Sequence, residues 1–151
     1  MELISRECSE HSHNPATCMT CVLSDPGAGK ADKIGIATIV VNCINIHGHN
    51  LTVNMKSLVS KTEDQTLKAA CQDCISKYFI NKHLLAAAQV AFQNHQHEIA
   101  GSLMGQILRF SKACGHYIRK HLSQVPVVVT EEIDLYDELC FHAKSIISDL
   151  I

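Results

Sequence analysis

Apolar residues along this chain recur at every third or fourth position, which is the spacing of one face of an α-helix. The alternating pattern of a β-strand is nearly absent, because the one short extended run, 125–129, is interrupted by Pro126. The helical pattern extends over four long segments, at about 32–60, 63–93, 97–122 and 131–151. The sequence therefore predicts an all-α protein.

Each segment has one apolar side. The stripes run from Ile36 through Ile39, Val40 and Cys43 to Ile46; from Leu67 through Cys71, Cys74 and Tyr78 to Phe92; from Ile99 through Ile107 and Cys114 to Tyr117; and from Ile133 through Cys140 to Leu150. Thr62 and Gln65 form a capping-box pattern before the second segment, and Thr130 is the expected N-cap of the fourth. Because the links between segments are short, we expect an antiparallel, up-down-up-down four-helix bundle.

The first 24 residues form a separate unit. They are predicted to fold into a helical hairpin that turns near His13, with Asn14 as N-cap and Pro15 at the first helical position. Residues 25–31 are rich in Gly, Pro and Ala and are interpreted as a linker. The expected organisation is one domain over 1–151, with a hairpin at 1–24 and the bundle at 32–151.

The composition of the chain excludes some classes of function and indicates a location. A formal charge of −2 gives no basic signature of a nucleic-acid-binding protein, and no apolar run reaches the length of a membrane span. Ten histidines would move the charge from −2 to +8 on full protonation. Eight cysteines are many for a reducing cytosol. We therefore expect a secreted protein whose signal peptide has been removed.

The chain has two Cys-x-x-Cys pairs, Cys18 with Cys21 and Cys71 with Cys74. The question is which cysteines form disulfides with each other. A helical hairpin brings together residues that are equidistant from its turn. Cys74 and Cys114 have their midpoint at residue 94, in the predicted turn, and Cys8 and Cys18 have theirs at residue 13. Pairing Cys71 with Cys114, or Cys8 with Cys21, fits less well. We predict disulfides Cys8–Cys18 and Cys74–Cys114, and buried free thiols at the other positions, Cys21, Cys43, Cys71 and Cys140.

Several motifs in this order resemble the plant invertase and pectin methylesterase inhibitor family. They are the opening from Leu3 to Cys8 with Asn14-Pro15 and Cys18, then Leu23-Ser-Asp-Pro26, then Leu67-Lys68 with Cys74 and Tyr78, then Cys114, and finally Glu138-Leu-Cys140 with Ile147-Ser-Asp-Leu150. The resemblance covers the whole chain. It implies a four-helix bundle with an N-terminal hairpin, two disulfides and location in the apoplast. It also implies no enzyme activity and no cofactor.

Members of that family block cell-wall invertase or pectin methylesterase by covering the active-site cleft in a one-to-one complex. The Pro-Lys-Phe stretch of invertase inhibitors is absent, since the matching region here is Asn94-His-Gln-His-Glu-Ile99. Pectin methylesterase is therefore the expected partner, and acid invertase is the alternative. The positions matching the esterase-binding faces are Ser76, Ile80, His83, Ala113 and His116. None is an acid or a Thr, unlike the usual residues of that interface.

Other classes of function are weighed against this one. Both Cys-x-x-Cys pairs have the internal spacing of a zinc site, but 49 positions separate Cys21 from Cys71, and no strand precedes either pair as in a redox dithiol. No nucleophile lies in a strained catalytic turn motif. A metal-binding or redox helical protein remains the alternative from another class.

Histidine pairs and a glycosylation sequon complete the candidate sites. His11 and His13, His47 and His49, and His95 and His97 are spaced by two, so the members of a pair do not converge on one helix face. They are interpreted as solvated side chains. The alternative is a pH-sensing role, which predicts that target affinity changes between pH 5 and 7. Asn50-Leu-Thr52 is the usable N-glycosylation sequon, so Asn50 is a predicted modification site.

Overall fold

The fold was analysed in a computed structural model that describes residues 2–10 and 15–151. Two short helices come first, α1 over Glu2–Glu10 and α2 over Pro15–Leu23. Four long helices follow: α3 over Lys33–Lys61, α4 over Gln65–Gln93, α5 over His97–Arg119 and α6 over Val127–Ser148. Short 3-10 turns at Ala28–Lys30 and Leu122–Gln124 interrupt the connections, and no strand occurs among the described residues.

The long helices form a closed bundle. α3 packs against α4 and α6, and α5 packs against the same two helices. Each helix points its apolar stripe inward, so the core is built from side chains such as Ile36, Leu67, Ile107 and Tyr136. The predicted antiparallel four-helix bundle preceded by a helical hairpin is therefore confirmed. Within the described ranges, no helix combines the length and the apolar character needed to cross a membrane.

The hairpin of α1 and α2 packs on the bundle where α3 and α6 meet. α2 contacts both of those helices and α1 contacts α3. Ile4, Cys8, Cys18 and Val22 are buried in this contact. The expected turn residues His11, His13 and Asn14 lie outside the described part of the chain.

The starts of two helices differ from expectation. α4 begins at Gln65 behind Asp64, whose carboxylate accepts from the Thr66 and Leu67 amides, so the predicted Thr62 cap is wrong. Asp64 caps the helix because its carboxylate satisfies two amides of the first turn. The hydrogen bond from the Leu67 amide, and after it the one from the Gln124 side chain, lowers the pKa of this carboxyl. α6 begins at Val127, one turn before the predicted Thr130 cap, because Pro126 already supplies a helix start.

The cysteines give a clear correction. The structure contains Cys8–Cys18 and Cys74–Cys114, but also a third disulfide, Cys21–Cys43. The expectation of two disulfides, with buried thiols at Cys21 and Cys43, is therefore wrong. Cys21 lies on the face of α2 that packs on α3, which brings the two Cα atoms to 6.1 Å, within bonding range. Cys71 and Cys140 are free and buried.

Some stripe residues also differ from expectation. Ile46, Ile99 and Tyr117 are 60%, 52% and 46% exposed, although each continues a predicted apolar stripe. The reason is geometric, because an α-helix has 3.6 residues per turn. A step of three residues falls short of a full turn, and a step of four residues exceeds it. A stripe therefore drifts away from the core over several turns.

Candidate functional site

The candidate site is the outer surface of α4 and α5 beside the Cys74–Cys114 disulfide. Both sulfurs are buried, and the Cα atoms lie 5.4 Å apart. The disulfide therefore lies beneath this surface and joins α4 to α5, the two helices that carry the surface.

Two buried hydrogen bonds add to this connection. The hydroxyls of Tyr78 and Ser111 are 2.7 Å apart, and the Asn81 side-chain amide donates to the Ile107 carbonyl at 3.1 Å. Burial raises the pKa of the Tyr78 phenol far above its usual value, so the ring stays neutral. The Tyr78 ring also meets the Tyr136 ring edge to face, with centroids 4.9 Å apart. α4 is thus held in register with α5 by two buried hydrogen bonds and contacts α6 through the Tyr78–Tyr136 ring pair.

The structure places the five predicted contact residues on this surface. Ser76, Ile80 and His83 are exposed at successive turns of α4, while His116 is exposed and Ala113 half-buried on α5, flanking Cys114. Ile80 is 45% exposed, so it is not a core residue. These side chains form one face along two neighbouring helices.

Sequence reasoning missed the apolar character of the α4 surface. Phe79 and Val90 are 63% and 57% exposed, and the exposed Ala86 and Ala87 lie between them. The signal was present in the letters His83-Leu-Leu-Ala-Ala-Ala-Gln-Val-Ala-Phe92, which are too apolar for a helix with one solvated side.

The charges around this face are mostly positive. α4 carries Lys68, Lys77 and Lys82 against Asp73, and α5 carries Arg109, Lys112 and Arg119 against Glu98, a net +2 for each helix. Asp73 is occupied by Lys77, with which it forms an ion pair. By contrast α6 holds five acids and Lys144, a net −4. The total of −2 therefore conceals a basic surface on one side of the bundle and an acidic one on another.

A metal-binding function would need free cysteines, and most of the candidate cysteines are in disulfides. Of the four Cys-x-x-Cys cysteines, Cys18, Cys21 and Cys74 are oxidised in disulfides with three different partners. Cys71 remains as a thiol, and burial raises its pKa, so it is a poor metal ligand or nucleophile. Within residues 2–10 and 15–151, no group of three potential ligands converges.

The histidine pairs have separate environments. His47 Nδ1 lies 2.7 Å from Glu132 Oε2 and joins α3 to α6, whereas His49 is exposed. The rings of His95 and His97 meet edge to face at 5.7 Å where α4 turns into α5. Asn50 is exposed on α3, and the Thr52 hydroxyl of its sequon donates to the Gly48 carbonyl. Glycosylation of Asn50 stays a prediction.

No protein-family model matches the sequence, and no curated protein sequence does. Comparison of the fold is more informative. The crystal structure of mutant form A of a pectin methylesterase inhibitor from Arabidopsis aligns with a TM-score of 0.80 at 16% identity, over 95% of this chain and 96% of that one. The chain has the fold of that inhibitor. The fold implied by the family resemblance is therefore confirmed, including the hairpin before the bundle.

Proposed function

We propose that this protein is a secreted inhibitor of a plant cell-wall enzyme, pectin methylesterase, and has no enzyme activity of its own. The alignment with a pectin methylesterase inhibitor over nearly the whole of both chains is the observation that carries this proposal. Disulfides between buried cysteines fit an oxidising, extracellular location such as the apoplast.

Inhibition would work by occlusion. The α4–α5 surface presents Ile80 as an apolar anchor, with Ser76, His83, Ala113 and His116 on the same two helices. A rigid surface loses little entropy on binding, and the disulfide and the Tyr78–Ser111 bond supply that rigidity. One copy would cover one active-site cleft, so the complex would contain one chain of each protein.

The decisive experiment measures inhibition of pectin methylesterase and of acid invertase side by side at pH 5. We expect inhibition of the esterase. Inhibition of the invertase alone would transfer the proposal to the alternative target, and inhibition of neither would refute it. Light scattering of the complex checks the one-to-one stoichiometry.

A pair of matched variants locates the surface. Ile80→Glu should weaken esterase inhibition by about tenfold or more, because it places a charge at the centre of an apolar contact. Val53→Glu is the control, since Val53 is a similarly exposed apolar residue on α3, with 52% of its surface accessible. Equal loss in both variants would contradict an interface on α4 and α5.

Affinity should also depend on pH. His83 and His116 are exposed on the proposed surface, and imidazoles ordinarily change charge between pH 5 and 8. We expect the esterase affinity to change between pH 5 and 7, and the change to shrink in His83→Gln and His116→Gln. A flat binding curve in the unmodified protein would contradict this part of the proposal.

A further inference from the structure

A second surface feature lies between α3 and α4, on the side of α4 that faces away from α5. It is a groove of about 420 Å³, which is within the range of small-molecule binding sites. Gly48 lies in its α3 wall, where a Cβ would approach the Tyr136 ring to 3.1 Å. The absence of a side chain at Gly48 therefore lets the Tyr136 ring pack against this wall of the groove.

Both walls of the groove are cationic. Lys56 extends from α3 and Lys82 from α4, and both are exposed. Among the residues that the structure describes, no acid lines the groove, and the sequence of α3 contains no Asp or Glu. Within the described ranges neither ammonium group has an ion-pair partner. A ligand between these walls would therefore carry negative charge.

The remaining lining groups point to a polyhydroxylated ring compound. Phe79 is 63% exposed at the groove, and the His83 ring contacts it edge to face with centroids 4.9 Å apart. Asn45 and His49 offer hydrogen-bonding side chains. The Thr52 hydroxyl donates to the Gly48 carbonyl at 2.9 Å, which leaves its oxygen able to accept from a ligand.

We propose that this groove binds an acidic oligosaccharide, with carboxylates on Lys56 and Lys82 and one sugar ring against Phe79. A simple inorganic anion would use the lysines but neither the ring nor the hydrogen-bonding groups. A groove between two long helices is open at its ends, which suits an extended chain of sugars. The proposal does not depend on enzyme inhibition, because Lys56, Lys82 and Phe79 line the groove and none of them is among the five predicted esterase contacts.

The test is a titration of isotope-labelled protein with tetragalacturonate, followed by amide chemical shifts at low and at moderate salt. We expect shifts centred on residues 45–56 and 75–86, with a dissociation constant on the order of 0.1–1 mM that weakens as salt rises. Maltotetraose is the neutral control and sodium acetate the simple anion control. Neither should reproduce the shifts at equal concentration of sugar or carboxylate.

Variants then separate the parts of the groove. Lys56→Gln and Lys82→Gln should each weaken tetragalacturonate binding roughly threefold, and Phe79→Ala should weaken it by a similar factor. Lys144→Gln is the matched control, because Lys144 is an exposed lysine of α6 beside Gly105 of α5. Circular dichroism verifies that each variant is folded.

Five results would overturn the proposal, four of which concern the sugar, its controls and the variants. These four are the absence of shifts at 10 mM tetragalacturonate (about ten times the expected constant), equal binding of acetate or maltotetraose, equal weakening by Lys144→Gln, and undiminished binding by Phe79→Ala. Tighter binding of hexaglutamate would also overturn it and assign the groove to an acidic protein segment. None of these readouts involves the esterase, so they are independent of the inhibition assay.

Discussion

The two helical hairpins of this protein are each closed by a disulfide that spans its turn, yet they are stabilised differently. The α4–α5 hairpin is built from helices of 29 and 23 residues that share a core and the polar bonds of Tyr78 and Asn81. The α1–α2 hairpin has two helices of nine residues, too short to be stable alone. The long hairpin is held by packing as well as by its disulfide, whereas the short one depends on covalent bonds.

The short hairpin has two further attachments to the bundle. Cys21–Cys43 ties α2 to α3, and Lys33 Nζ lies 3.4 Å from Oε1 of the buried Glu7. Without them, only a few apolar side chains would hold it. Removal of Cys74–Cys114 from the long hairpin should therefore destabilise the whole protein. Removal of Cys21–Cys43 should instead release the short hairpin from the bundle.

Removal of Cys74–Cys114 should have the largest effect on global stability. Its cysteines are 40 positions apart, and the chain-entropy model gives a loss of about 4 kcal/mol for such a loop in Cys74→Ala/Cys114→Ala. Urea unfolding followed by circular dichroism measures the loss. A loss below about 1 kcal/mol would show that packing alone holds the long hairpin.

Removal of Cys21–Cys43, whose cysteines are 22 positions apart, should cost about 3 kcal/mol by the same model. We expect this loss to appear as detachment of the hairpin before the bundle unfolds. Limited proteolysis within residues 24–32 should accelerate in Cys21→Ala/Cys43→Ala, while the α4–α5 fragments stay protected. Equal protection of the linker before and after the change would refute the tether.

The disulfide count itself is a check on both hairpins. The structure has three disulfides and two buried free thiols, Cys71 and Cys140. When the protein is denatured without reductant, we therefore expect two of its eight cysteines to react as thiols. Thiol titration measures this number. Four reactive thiols would mean that Cys21 and Cys43 are not bonded to each other, and eight would favour a metal-binding protein.

Tyr78→Phe should cost about 1.5 kcal/mol, because it removes the buried hydrogen bond between the Tyr78 and Ser111 hydroxyls of the long hairpin. Tyr117→Phe is the matched control, since Tyr117 is 46% exposed and should lose almost nothing. Denaturant midpoints compare the two. Similar values would mean that the bond to Ser111 contributes little.

Asp137 on α6 extends this polar region and gives the smallest predicted effect. Burial raises its pKa to about 6, opposed by a hydrogen bond from Ser111 and by the charges of Lys112 and Arg119, with Asp134 adding to the rise. A raised carboxyl pKa means that the folded state holds the proton more tightly, so stability falls as pH rises from about 4 to about 6. Asp137→Asn should remove this fall and stabilise the protein by about 1 kcal/mol at pH 7, after allowance for partial exposure. Unfolding at pH 4 and pH 7 measures it, and an unchanged difference between the two pH values would contradict the assignment.

Much of the fold could be predicted because it depends on local order. The apolar period identifies the helices, and the short links impose antiparallel neighbours. Residues equidistant from a turn must then meet, which is why Cys74 faces Cys114. The proposed contact surface was predictable only in part. Resemblance to a family indicated Ser76, Ile80 and His83, but not the more exposed Phe79 beside them.

The sequence by itself determined the helices, their antiparallel order and the partners across each hairpin, because these follow from spacing along the chain. Only the tertiary structure decided how the short hairpin sits on the bundle. Cys21 and Cys43 belong to different elements, and nothing in their spacing shows that α2 packs on α3. The same holds for Lys56 and Lys82, which become two walls of one groove only when α3 and α4 pack side by side.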